Sequence, residues 1–203
     1  MDYKTPAKMP SIRKTMESLM ARNINAIYVK TKEEALEKVK SLIPDGAEVM
    51  TGSSTTLEEI GFVDLLKKGK HPWKNLKNKI TAEKDSAKQN ELRKISVSAE
   101  YFLGSAHAIS ENGELVFTSA SGSQIPSYAF TSQNVIWVVG TQKIVPNLTE
   151  AFKRVKEYVF PLEDERMKKA GFPGSVMGMW LIFERNIMGR KLSVIFVNEN
   201  LGF

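Results

Sequence analysis

Apolar residues recur along this chain at two spacings that take turns, and their alternation predicts a layered fold. From Ser11 onward, Ile12, Met16, Leu19 and Met20 return every three or four residues, the period of one helix face. A helix capped by Ser11 and ending near Asn23 is therefore expected to pack on the rest of the protein. Residues 24–29 read as a strand. Thr31 with Glu34 three positions on is a capping-box signature, and it opens a second helix carrying Ala35, Leu36, Val39 and Leu42 that stops at the Pro44-Asp45-Gly46 turn. Residues 47–51 form another short strand, followed by helical segments through Leu57, Ile60, Val63 and Leu66 that break at Gly61. The order helix, strand, helix, strand, helix argues for an α/β protein with a largely parallel sheet.

The second half continues the pattern with one local departure. Residues 67–78 read as an exposed loop anchored by Trp73 and Leu76, and 81–97 as a helix. A brief strand at 101–103 precedes 108–109, the Glu111-Asn112-Gly113 turn and 115–117, a β-hairpin whose strongest local signal is Asn-Gly. Residues 125–130 suggest a short helix, and 135–139 is an unbroken apolar run expected to be a fully buried strand. A helix over 148–159, entered through Pro146-Asn147, is expected to close at Pro161. Two last strands, 180–183 and 192–197, flank a turn at 187–190. No internal repeat or low-complexity tract is present.

With 203 residues and 42% apolar content, the chain suits a single domain over 1–203, its first 23 residues supplying the packed helix. It contains no cysteine, which excludes disulfides, thiolate nucleophiles and iron–sulfur clusters, and its two histidines are too few for a histidine-rich metal site. No metal and no cofactor is expected. No window approaches the roughly 20 apolar residues of a membrane span, and Met-Asp-Tyr-Lys lacks the apolar core of a signal peptide, so a cytoplasmic location is expected.

The net charge of +6 is less informative than its placement. Residues 67–94 hold ten basic side chains, whereas 95–142 have no Lys or Arg and only Glu100, Glu111 and Glu114 as acids. The second stretch is expected to run through the core or line a sheltered cleft, because charged groups are almost never fully buried without partners.

Two loops of small hydroxylated residues and glycine stand out, Thr51-Gly52-Ser53-Ser54-Thr55-Thr56 and Ser119-Ala120-Ser121-Gly122-Ser123-Gln124. Each lies between an apolar run and a helix-like segment. Glycine lets the backbone approach a ligand, and the amides opening a helix face any phosphate or carboxylate placed there. The same residue types also serve simple turning and capping. Lys143, the first cation after Lys94, follows the buried strand at the edge where open α/β sheets bind ligands, although a solvated lysine would occupy the same place. Glu111, beside Asn112-Gly113, is the candidate general base or nucleophilic carboxylate; an exposed hairpin turn needs nothing more than the same residues. His107 without a visible acidic partner reads first as a structural histidine. The serines lack a Gly-x-Ser-x-Gly elbow. The run from Lys67 to Lys74 interleaves cations with Trp73 as single-stranded nucleic-acid grooves do, but a solvated loop with one packed tryptophan looks the same. Without a recognisable module nucleic acid is not expected, and attraction of an acidic partner protein stands on no stronger ground.

The order Gly104-Ser105-Ala106-His107-Ala108-Ile109-Ser110-Glu111-Asn112-Gly113, the glycine loop, Val135-Ile136-Trp137-Val138-Val139-Gly140 and Lys143-Ile144-Val145 resembles the lactate-utilisation (LUD) domain family, LutC/YkgG type. Gly52-Ser53-Ser54-Thr55-Thr56-Leu57-Glu58-Glu59-Ile60-Gly61 is similar to that family's first loop, and the closing Val197-Asn198-Glu199-Asn200-Leu201-Gly202-Phe203 to the tail of its short stand-alone members. The resemblance implies the three-layer, Rossmann-like architecture of the ribose-phosphate isomerase, glucosamine-phosphate deaminase and CoA-transferase superfamily, with a β-hairpin insertion. Two departures stand against it. The cysteine cluster of many stand-alone relatives is absent from residues 167–179, and Gln124 replaces a common loop arginine, which removes a charged partner for an anion.

The expected site is a cleft at the strand ends for a small anionic metabolite, formed by Gly52, Ser53, Ser54 and Thr55, the turn Glu111, Asn112 and Gly113, the loop Gly122, Ser123 and Gln124, and Lys143. Any chemistry would be isomerase or transferase work by a carboxylate, independent of metal or thiol. The alternative is a non-catalytic assembly or regulatory subunit for redox partner proteins, and exposed helices leave homo-oligomers open.

Overall fold

The computed structural model describes residues 1–203. Its first five strands are β1 (Asn25–Val29), β2 (Glu48–Thr51), β3 (Lys74–Asn75), β4 (Tyr101–Gly104) and β5 (Ala108–Ser110). The remaining five are β6 (Leu115–Ser119), β7 (Asn134–Gly140), β8 (Ile144–Val145), β9 (Met179–Phe183) and β10 (Lys191–Val197). Six of them form one sheet in the order β1-β10-β7-β4-β2-β3, with every neighbouring pair parallel. A parallel sheet is stable only when both faces are covered. β7 meets this demand with seven buried residues: Val135, Trp137 and Val139 enter the core on one face, Ile136 and Val138 the core on the other.

The helices that cover the sheet are α1 (Met9–Ala21), α2 (Lys32–Leu42), α3 (Thr55–Glu59) and α4 (Phe62–Lys68), then α5 (Leu76–Ala82), α6 (Ser86–Ser96), α7 (Leu148–Arg154) and α8 (Phe160–Lys169). Ala35 and Val39 of α2, Leu57 of α3 and Phe62 and Leu66 of α4 pack on Val49, Leu103, Ile136, Val138, Ile195 and Val197. The opposite face packs Phe102, Trp137 and Phe196 against Ile12 and Leu19 of α1 and Leu115 and Phe117 of β6. The expected hairpin insertion is thus larger than a hairpin. Together with β8 and β9 it makes a second sheet, β8-β5-β6-β9, whose outer face (Ala108, Val116, Val145) is sealed by Ala151 of α7 and by Val155.

Several local expectations hold and four do not, the first being the loop expected over 67–78, in which Lys74 and Asn75 pair with Glu48 and Val49 of β2 and Leu76 opens α5. Thr31 Oγ1 accepts from the Glu34 amide, and Glu34 reaches back to the Lys30 amide, so the start of α2 is capped from both sides. Gly61 separates α3 from α4 at a φ of 80°. Ser11, however, lies inside α1, whose N-cap is Lys8 with Pro10 in the first turn, the position where proline's missing amide costs nothing. The helix expected over 81–97 is two helices, because Asp85 takes the amides of Ala87 and Lys88 and starts α6 afresh. Pro161 does not end its helix. The turn Val155–Val159 is a π-helix that shifts the hydrogen-bond register, and Pro161 falls in the first turn of α8, where the chain continues to Lys169.

Candidate functional site

All six parallel strands end on one edge, and their connections diverge there. From β2 the chain moves outward to β3, re-enters on the other side of β2 as β4, and proceeds through β7 to β10. The reversal between β2 and β4 leaves a crevice beyond the strand ends, the position at which open α/β sheets take ligands. A cavity of about 270 Å³ fills it. Gly52, Ser53, Ser54, Thr55 and Thr56 enter from β2, Ser105 and His107 from β4, Lys143 from β7 and Gly202 from the segment after β10. Ser121, Ser123 and Gln124 of the second small-residue loop and Glu163 and Arg166 of α8 form the facing wall.

Lys143 is the electrostatic centre. Its side chain is 2% exposed and makes no ion pair; Nζ donates to Thr56 Oγ1 at 3.0 Å and to Ser105 Oγ at 3.2 Å. Burial first, and then the nearby Arg154 guanidinium, lower its pKa from 10.5 to about 7, against a weaker opposing pull from Glu59. His107 is half-buried on the same cavity. Its Nδ1 accepts the Thr118 amide at 3.2 Å, which leaves the imidazole proton on Nε2, an atom with no hydrogen-bond partner in the protein. Burial, followed by the charges of Lys143 and Arg154, lowers its pKa to about 3, so the ring stays neutral at physiological pH. Arg154 is fully buried behind this pair. It donates to the His107 carbonyl and lies 5.7 Å and 5.2 Å from the ring centres of Tyr3 and Tyr158, while its Nε and Nη2 find no acceptor.

Close backbone approaches shape the cavity. A Cβ on Gly52 would run into Gln124 Oε1, so glycine there lets the two small-residue loops meet. Lys77 Nζ donates to the Gly52 carbonyl at 3.2 Å and fixes the first loop from outside. The segment after β10 is tied down by Gln142 Nε2, which donates to the Leu201 carbonyl at 2.8 Å, and by Glu59, which accepts the Gly202 amide at 2.7 Å. Arg166 carries a forked pair of 2.7 Å hydrogen bonds to Glu163, which makes it the neutralised cation of the wall.

The family model of the LUD domain matches residues 12–171. The chain belongs to the LUD-domain family. Among solved structures it is similar to a crystal structure, at 1.70 Å resolution, of a DUF162 family protein from Deinococcus radiodurans, with 13% identity and a TM-score of 0.52 over 95% of this chain and 100% of that one. At that identity the likeness shows the fold. No curated protein matches.

In this LUD domain the structure brings together Gly52, Ser53, Ser54, Thr55, Ser123, Gln124 and Lys143. Gly122 sits in the second loop at a φ of 74°, packed against Met179, with its neighbours rather than itself on the cavity. Glu111, Asn112 and Gly113 do not reach it. Their turn is stapled to α1: Ser11 Oγ donates to Glu111 Oε1 at 2.6 Å, Lys14 Nζ to Oε2 at 2.9 Å, Ser18 Oγ to the Glu111 carbonyl at 2.8 Å and Arg22 Nε to the Asn112 carbonyl at 2.9 Å. Those partners, the Ser11 hydroxyl first and Lys14 next, hold the Glu111 pKa below its ordinary value, the reverse of the upward shift expected of a base in a sheltered cleft. The first loop also differs from an amide cradle. α3 has only five residues, and Ser54 Oγ already accepts the Leu57 amide.

Sequence reasoning placed Thr56 in the first loop without giving it a role, and it missed Ser105, Arg154 and Arg166 as site residues. Ser105 was within reach, since it lies one position beyond a strand that ends at the cavity, inside a stretch shared with the family. Arg154 carried no signal, because a cation on an amphipathic helix is ordinarily solvated.

Proposed function

We propose that this LUD domain binds a small organic anion in the cavity, with Lys143 as its charged anchor and the hydroxyls of Thr56 and Ser105 as orienting partners. The observation that carries the reading is a buried amine on a cavity wall whose hydrogen-bond partners are the Thr56 and Ser105 hydroxyls and which forms no ion pair with a carboxylate. A protonated amine in that place lacks the counter-charge that buried cations normally have, and an anionic ligand supplies it. The volume, about 270 Å³, fits a metabolite of a few carbons rather than a nucleotide cofactor in full. A role in lactate or related organic-acid utilisation, as in the LutC/YkgG type, agrees with family membership and with this preference for a small carboxylate.

The test is ligand-dependent thermal stabilisation of the purified protein against short hydroxy and oxo acids, sugar phosphates and acyl-CoAs. A ligand at a hundred times its Kd stabilises the folded state by about 2.7 kcal/mol. The reading expects a shift confined to one class of anion and weakened in Gly52→Val, whose side chain would displace the Gln124 amide and enter the cavity wall. Absence of a shift with every class would transfer support to the assembly-subunit reading, in which the basic segment 67–94 meets an acidic partner.

A further inference from the structure

The same lysine has a second property that anion binding does not use. A lysine held only as a structural cation would be expected beside a carboxylate, yet Nζ of Lys143 has two hydroxyl neighbours, Thr56 Oγ1 and Ser105 Oγ, and the Arg154 guanidinium behind it. Such surroundings make the amine less basic, so that charged and neutral forms coexist near pH 7, and desolvation beside a second cation is how amines are activated as nucleophiles. We infer that Lys143 condenses with the carbonyl carbon of a small 2-oxo acid, forming a protonated imine inside the cavity. This inference rests on the proposal that the cavity holds a small organic anion, and it names the class of that anion.

The groups on the wall fit the steps. The Nζ lone pair attacks the carbonyl carbon, a C–N bond forms, and the carbonyl π pair moves to oxygen. One Nζ proton passes to that oxygen through the Thr56 or Ser105 hydroxyl, giving a carbinolamine. The nitrogen lone pair then forms the C=N bond as the C–O bond breaks, and the oxygen, with one proton drawn from solvent, leaves as water. Atoms and charge balance: amine, carbonyl compound and one proton give iminium and water. His107 is placed to assist as a neutral ring, because Nδ1 is committed to the Thr118 amide and Nε2–H is free to hydrogen-bond the carbonyl oxygen. The ligand's carboxylate then lies beside the iminium charge and supplies the counter-ion that this buried position lacks.

The experiment is incubation of the whole protein with pyruvate and sodium cyanoborohydride at pH 7, followed by intact mass measurement and peptide mapping. With its pKa near 7, Lys143 has roughly a thousandfold more neutral amine at that pH than an ordinary lysine, and its lower basicity returns part of the advantage. The expected result is one reduced pyruvate adduct per chain, mapped to Lys143, saturating with pyruvate and forming about a hundredfold faster than adducts at surface lysines. Lactate, which is the same anion without a carbonyl, should compete and give no adduct. Lys143→Arg should abolish the adduct, and peptide mapping of the parent protein decides the question even where that variant folds poorly. Adducts spread over surface lysines, or none at all, overturn the inference. If lactate and pyruvate still stabilise the protein in that case, anion binding stands and the nucleophile falls; if no class of anion stabilises it, both fall.

Discussion

Replacing Lys143 with methionine should stabilise the protein at neutral pH, although it removes two hydrogen bonds. Lowering a lysine pKa from 10.5 to about 7 means that folding disfavours the charged form by about 5 kcal/mol, a cost fully developed once the pH is below the folded value. Methionine has a similar length and no charge to desolvate. Against the relief stand the hydrogen bonds to Thr56 and Ser105, about 1 kcal/mol each, so the net gain at pH 7 is about 3 kcal/mol. The sign of the pH dependence follows from the direction of the shift. Because the folded pKa lies below the unfolded one, stability contributed by a neutral Lys143 is complete above the unfolded value and is lost as the pH falls toward 7. Between pH 7 and about pH 9.5 the parent should gain about 3 kcal/mol relative to the variant. Higher pH is to be avoided, since burial raises the Tyr3 and Tyr128 hydroxyls above their ordinary values and their titration acts with the opposite sign. Urea unfolding of both proteins at the two pH values measures the difference. Parallel pH profiles, or a variant several kcal/mol weaker at pH 7, would refute the account of a desolvated, unpaired amine.

Two further substitutions separate scaffold from site. Glu111→Gln should lower the urea midpoint by an amount equivalent to at most about 1 kcal/mol, because the lost ion pair with Lys14 is half-exposed, and should leave ligand-induced stabilisation intact; loss of that stabilisation would restore Glu111 to the site. Gly202→Ala should cost about 1–2 kcal/mol for a left-handed φ of 59°, plus a clash with Thr56 Oγ1, and should weaken ligand binding because the new methyl would lie 3.1 Å from Lys143 Nζ. An unchanged midpoint in Gly202→Ala would show that the segment after β10 does not pack as described.

The parts of the fold legible in the sequence are those decided within a few residues. The run from Val135 to Val139 announces a strand buried on both faces, and Asn112-Gly113, with Gly113 at a φ of 96°, announces the hairpin. The cation-free stretch 95–142 does supply the middle of the sheet and much of the cavity wall. Errors came where a local signal had a tertiary answer. Pro161 breaks a helix unless a π turn has already changed the register. Glu111 looks sheltered in a sequence poor in cations, but its neighbours in space are Ser11 and Lys14 of α1, which lie 100 and 97 positions away along the chain. The position of Lys143 at a strand end was readable, whereas its burial was not, because burial is decided by Thr56, Ser105 and Gly202 arriving from three other strand ends.

The place of β10 in the sheet has a consequence for how the chain reaches its native state. β1, the first parallel strand to leave the ribosome, pairs with no strand but β10, the last of the six, with Asn25 opposite Ser193 and Val29 opposite Val197. β7 likewise has one side open until β10 is inserted. During synthesis the most apolar strand of the protein therefore carries unpaired amides and carbonyls, and its completion waits on a contact between distant parts of the sequence. Such pairing is slow to form and exposed to association with other nascent chains. The segment matched by the family model ends at 171, before β9 and β10. Excised by itself, that segment would lack the strand that joins β1 to β7, and it would leave an open seam in the interior of the sheet.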